Sequence, residues 1–226
     1  RSHSGDYGRI QSSMKNVHFV HIPFTQNLIQ VLVEHSTDNT LYVFPTQAGK
    51  RATIREFQNH RAFQNIQFLT MEELKELLCR TNKPILKEEK RTLAFFAVLT
   101  ASDKQFFRTG NYFQSVELAR SFFELWKEWN EELIPDNFDQ QILRRAGAEL
   151  LNWQLQTYER LKSIKGHYRH YIEKRGFTDQ IFLFDSRFFN FDILASFQSV
   201  YFINQFYYTA LERNIIRHLA DEGVKT

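Results

Sequence analysis

The sequence predicts an α/β fold in which a mostly parallel sheet is interrupted by a large all-helical insertion. Short β-type runs alternate with helical periodicity in the first part of the chain, the pattern of βαβ units. From about Pro84 the alternation gives way to helical periodicity alone, and β character returns only at Ser199 to Ile203. Phe is abundant at 23 residues while Gly (8) and Pro (4) are scarce, a balance that favours long packed helices over a loop-rich or all-β fold.

Residues 1–13 are polar, Ser/Gly-rich and aperiodic, and are expected to be a vector-derived leader ahead of a natural start at Met14. Val17 to Ile22 reads as a strand, Pro23 as a turn, and Thr25 as the N-cap of a helix carrying Leu28, Ile29, Leu32 and Val33. The pattern repeats as a strand at Thr40 to Phe44, a turn at Pro45-Thr46 and a helix from about Ala48 to His60. It repeats again at Ile66 to Leu69, where Thr70-Met71-Glu72-Glu73 is a capping box opening a helix to Cys79. In the helical block, Leu93, Phe96, Ala97 and Thr100 are expected on one face. Val116, Ala119, Phe122, Phe123, Trp126, Trp129 and Leu133 form the stripe of a long buried helix ending before Pro135. A third helix, from about Gln140, carries Leu143, Leu150, Leu151, Leu155, Tyr158 and Leu161. The domain organisation expected is 14–83 for the first part of the α/β domain, 84–195 for the helical insertion, and 196–226 for a completing strand and helix.

The 226 residues carry 29 Lys plus Arg against 26 Asp plus Glu, so any attraction to nucleic acid has to come from local patches and not from the net charge of +3. The single cysteine, Cys79, rules out an intramolecular disulfide, reads as a core thiol, and fits a cytoplasmic location. No apolar run has the length needed to span a bilayer, so no membrane partner is expected.

The run Val200-Tyr201-Phe202-Ile203 ends in Asn204-Gln205 and turns into a helix from Ala210. That is where nucleotide hydrolases of the P-loop class place the Asp and Glu that hold Mg²⁺ and orient the attacking water. Amides have nearly the same shape but no negative charge, so Asn204 and Gln205 read as a degenerate Walker B position; an ordinary buried strand ahead of a helix is the competing reading. The turn after the first strand reads His21-Ile22-Pro23-Phe24-Thr25-Gln26-Asn27, with no Gly or Lys to wrap a phosphate. Ala48-Gly49-Lys50-Arg51 lacks the first Gly of a P-loop and has Arg where a hydroxyl is required. Neither ATP hydrolysis nor any cofactor is expected, and no catalytic or metal-binding residue is assigned. His167, His170, Asp179 and Asp185 lack the tight spacing of a metal site.

From Phe19 to Ala220 the chain resembles the N-terminal part of AddB-type subunits of bacterial helicase–nuclease complexes. The resemblance rests on Ile22-Pro23-Phe24 with Leu28 and Val31, Pro45-Thr46-Gln47 with Lys50-Arg51-Ala52, the helix Trp126 to Leu133, Tyr171 to Asp179, and the Val200 segment. In the last of these Phe206 and Thr209 match the superfamily 1 helicase pattern, whereas Asn204, Gln205, Tyr207 and Tyr208 depart from it. The resemblance implies a P-loop NTPase (RecA-like) sheet with degenerate ATPase motifs, a role in double-strand break repair, and two partners: DNA, as a single strand or duplex end, and an AddA-type motor subunit. It also implies a PD-(D/E)xK nuclease domain further on. Pro135-Asp136 is the only Pro-Asp pair here and no Asp/Glu-x-Lys strand follows it, so that constellation is not expected within this chain. The chain ends just past the helix after Val200, as a shortened piece of a longer protein would.

Two DNA-binding candidates follow. Pro45-Thr46-Gln47 corresponds to a helicase motif that contacts the DNA backbone, and Thr46 with Lys50 and Arg51 would hold a phosphate at a helix N-terminus; a plain N-cap is the competing role for Thr46. Lys162, Lys165 and Arg169 share a helical face beside Leu161, Ile164 and Tyr168, suited either to single-strand binding or to an ordinary solvated surface. The function expected is a catalytically silent, helicase-like region that guides DNA and docks a motor subunit. An interaction scaffold without DNA contact is the alternative, and an active ATPase with unconventional motifs ranks last.

Overall fold

The computed structural model describes residues 22–23, 25–36, 39–58, 65–79, 81–135, 152–184 and 189–221. The strand expected over Val17 to Ile22, the start of the third helix at Gln140, and Asp185 lie outside them. The chain divides into two compact units, one formed by 1–79 with 188–226 and the other by 80–187.

The first unit is α/β, built on a parallel three-stranded sheet among the described residues. Strand β1 (Thr40–Phe44) is central, β2 (Ile66–Thr70) flanks it on one side and β3 (Ser199–Phe202) on the other, both parallel to it. The register pairs Val43 with both Leu69 and Phe202, so segments far apart in sequence meet in one sheet, as the returning β pattern predicts. All five residues of β1 are buried, because helices cover both faces. Alternation along the strand sends Leu41 and Val43 one way and Tyr42 and Phe44 the other. Leu41 and Val43 pack against Leu74 and Leu78 of helix α3 (Met71–Leu78) and Ile215 and Leu219 of α8 (Ala210–Asp221). Tyr42 and Phe44 pack against Leu32 of α1 (Leu28–His35) and Phe57 of α2 (Gln47–Gln58). Tyr42 also stacks between Phe68 and Tyr201, and its hydroxyl donates to the Leu32 carbonyl at 2.9 Å.

Helix α1 begins two residues later than a Thr25 cap requires. Asn27 is its N-cap, with Oδ1 accepting from the Ile29 N–H at 2.9 Å, while Thr25 lies in the turn closed by Gln26 N–H to the Pro23 carbonyl.

Among its described residues the second unit is helical, with one isolated bridge between Ile85 and Thr178. It contains α4 (Glu88–Val98), α5 (Ala101–Phe106), α6 (Tyr112–Glu131) and α7 (Asn152–Glu173), with a 3₁₀ turn at Gln180–Phe182. The α6 stripe buries Ala119, Phe122, Phe123 and Trp126 against Phe95 of α4 and Ile164, Tyr168 and Ile172 of α7. The face expected for α4 is displaced: Ala94, Phe95 and Leu99 are buried while Leu93 is 53% exposed. Two apolar stripes compete on this helix, and the one that presents Phe95 to Phe122 at 4.8 Å also carries Arg91 to a buried partner. Thr100 starts α5 and does not continue α4, through a capping box in which its hydroxyl oxygen accepts from the Asp103 N–H and the Asp103 carboxylate accepts from the Thr100 N–H.

The buried centre of this unit is Asp179. It is wholly buried and accepts two bonds from Arg91 at 2.7 and 2.8 Å, one from the Tyr168 hydroxyl at 2.6 Å and one from the Ile181 N–H at 3.0 Å. A carboxylate this far from water is tolerated because every direction of its charge meets a donor. Burial and the adjoining Asp179 charge push the Tyr168 hydroxyl well above the usual tyrosine range, so it stays a donor at any working pH.

Candidate functional site

In a parallel sheet, ligands are handled where two neighbouring strands send their following segments to opposite faces. β1 and β3 are such a pair. The chain leaves β1 for α2, on the Tyr42 face, and leaves β3 for α8, on the Val43 face. By that rule the place for a ligand is outside the carboxyl ends of β1 and β3, where the segments 45–47 and 203–209 leave the sheet. Five of the eight residues singled out from the sequence, Thr46, Lys50, Arg51, Asn204 and Gln205, stand at this edge of the first unit.

Three helices start along the same edge, and each takes a Thr as its cap. Thr70 and Glu73 form the expected capping box of α3, and Thr209 with Glu212 forms an equivalent pair at α8. At α2, Thr46 Oγ1 accepts from the Gly49 N–H at 3.2 Å, so the capping role is real. That bond uses Thr46 as an acceptor and leaves its O–H proton available to a phosphate oxygen. The first intrahelical bond of α2 is Lys50 N–H to the Thr46 carbonyl, so the N–H groups of Gln47 and Ala48 precede the helix's own acceptors. No acidic residue occupies the first turn of α2, in contrast to α3 and α8.

Lys50 is not the exposed cation that its sequence position suggests. Its Nζ lies 2.6 Å from both carboxylate oxygens of Glu73, and its side chain is only 14% exposed. Glu73 also accepts from Gln47 Nε2 at 2.7 Å and from the Thr70 N–H at 2.7 Å. Partial burial would raise the Glu73 carboxyl, but the bonds from Lys50, Thr70 and Gln47 together outweigh it and hold it down to about 2. Glu73 thus ties the α2 turn to the α3 turn and neutralises Lys50. Arg51 remains exposed and meets no acidic partner among the described residues, and so does Arg55 one turn further along the same face. Arg55 was not singled out from the sequence; the i, i+4 spacing from Arg51 was the available signal.

On the β3 side, Asn204 takes φ of 53°, a left-handed turn that ends the strand. Gln205 Nε2 is buried and meets no acceptor among the described residues. Among the described residues no three His, Cys, Asp or Glu side chains converge on one point. Beyond Gln205 the chain presents Phe206, 87% exposed, and Tyr207, 64% exposed. Behind the edge, Lys75 is buried between Glu72 at 2.8 Å and Glu212 at 3.4 Å, which joins α3 to α8.

The other three basic residues belong to α7 of the second unit. Lys165 Nζ sits 3.9 Å above the Trp126 ring, and Arg169 is paired with Glu173 at 3.0 Å and lies over Phe182. Lys162 is exposed. Two of the three cations are thus held against their own unit, which weakens the case for a continuous basic stripe. His167 and His170 are exposed, and Asp179 is committed to Arg91 and Tyr168. Cys79 is partly buried, and burial, with the Glu76 charge, pushes its thiol up to about 12.

No helix among the described residues is long and apolar enough to cross a membrane. No protein-family model matches the chain, and no curated protein is similar to it.

Proposed function

We propose that this chain is a nucleotide-independent, RecA-like module of an AddB-type helicase–nuclease subunit that guides DNA by its backbone and docks a motor subunit during double-strand break repair. The observation that carries this reading is the start of α2, at the carboxyl end of β1 and beside β3. The α2 turn offers a hydroxyl and two N–H groups outside the helical ladder, with Arg51 exposed in the second turn of the helix, while amides and not carboxylates follow β3. Such a site suits an extended polyanion and gives Mg²⁺ no carboxylate ligand in the loop after β3.

Fluorescence anisotropy of a labelled single strand, titrated with salt, tests it. Binding weakens steeply with salt, and Arg51→Ala makes the slope of log K against log salt shallower by about 0.7, one phosphate's share on a single strand. Lys50→Ala has a smaller effect on the slope because Glu73 already neutralises that charge. ATP with Mg²⁺ changes nothing. Absence of binding at low salt, or an unchanged slope in Arg51→Ala, removes the DNA role.

A second reading, a docking scaffold without DNA contact, draws on the exposed Phe113 (81%) and Trp153 (60%) of the helical unit. It gains ground if the wild-type chain leaves DNA unbound.

A further inference from the structure

We propose that Phe206 and Tyr207 form a stacking ledge for the bases of the single strand whose backbone passes the α2 turn; this rests on the DNA-guiding reading and names the groups that handle the bases.

The two rings are the most exposed aromatic pair adjacent in sequence among the described residues of the first unit. An exposed Phe is costly to keep in water, and the chain is fixed on either side of these two rings. In front, Asn204 turns the chain through a left-handed conformation directly after Ile203, whose N–H is fixed to the Val43 carbonyl at 2.8 Å. Behind, Arg213 donates to the Tyr208 carbonyl at 2.6 Å, the Tyr208 ring packs edge-on against Phe202, and Thr209 and Glu212 lock the start of α8. Residues 205–207 thus span a short arch anchored at both ends, which limits the entropy lost when a base settles on it.

The neighbouring segment supplies the complementary charge. The 45–47 turn leaves β1, which runs beside β3 at a strand spacing of about 4.8 Å, so the phosphate donors and the aromatic arch emerge side by side. Cations beside aromatic faces are the combination that holds single strands without regard to sequence, because every base has a π-face. Size decides against a protein occupant: two rings make a patch well below the several hundred Å² of a specific protein contact, yet suffice for one or two bases.

The test compares an oligo-dT strand with an abasic strand of equal length, for the wild-type chain, Phe206→Ala/Tyr207→Ala, and Phe206→Trp/Tyr207→Trp. The wild type prefers oligo-dT, by about tenfold per stacked ring. The double Ala variant binds both strands at the wild-type affinity for the abasic strand, with an unchanged salt slope. The Trp variant keeps the preference, and its added indole emission is quenched on binding. If the double Ala variant keeps the full preference for oligo-dT while wild-type binding stays salt-dependent, the ledge is wrong and the backbone site stands; that outcome would assign the rings to a protein surface. If the wild type binds neither strand, the DNA-guiding reading falls and the ledge with it.

Discussion

Glu73→Gln is the sharpest probe of how the β1 edge is built. The carboxylate collects Lys50, Gln47 and the Thr70 N–H, and its fall from 4.5 to about 2 on folding sets a ceiling of about 3.4 kcal/mol on its electrostatic contribution. The side chain is 33% exposed, so solvent screening reduces this to about 1–2 kcal/mol. Glutamine retains an acceptor for the Thr70 N–H but loses the ion pair. Urea denaturation at pH 7 is therefore expected to show the variant less stable by about 1–2 kcal/mol, a shift of about 3–6 °C in Tm for a chain of this size. The folded pKa is depressed, so the contribution is complete above the unfolded value of 4.5 and is lost as pH falls towards about 2. The gap between wild type and variant narrows progressively below pH 4.5. A gap that is absent at pH 7, or equally large at pH 3.5, would refute the account of Glu73 as an ionised clamp.

Three further outcomes follow from the same contacts. Asp179→Ala strands the Arg91 guanidinium and the Tyr168 hydroxyl, and chemical denaturation is expected to show a loss of about 3–5 kcal/mol in the helical unit. Cys79, held up to about 12, is expected to resist alkylation at pH 8 in the folded protein and to react at the rate of an ordinary thiol once unfolded, which mass spectrometry resolves. Asn204→Asp/Gln205→Glu is expected to create no ATP turnover in a coupled phosphate assay, because restored carboxylates still lack a phosphate cradle.

What the sequence made legible was local or periodic. The capping box at Thr70 and Glu73, the β runs at Thr40 and Val200, and the α6 stripe each declare themselves within one or two turns of chain. What stayed hidden depended on distant partners. Arg91 and Asp179 are 88 residues apart, and Lys75 and Glu212 are 137 apart, so neither pairing can be read from spacing. The α4 face was misplaced because Leu93, Phe96 and Ala97 offer a stripe as apolar as the buried one, and Arg91's attachment to Asp179 decides between them. Thr209-x-x-Glu212 repeats the pattern of Thr70-x-x-Glu73 and was available to the same reasoning. Lys50 illustrates the limit for the site: a cation near a helix N-terminus looks like a phosphate ligand until its carboxylate partner, 23 residues away, is located.

If the chain guides DNA as proposed, photocrosslinking tests the path most directly. A single strand carrying bromodeoxyuridine, irradiated in complex with the chain and digested for peptide mapping, is predicted to crosslink within 204–208, with protection from proteolysis at Arg51. Crosslinks confined to the α7 peptides that hold Lys162, Lys165 and Arg169, with the 45–55 and 204–208 segments untouched, would contradict it.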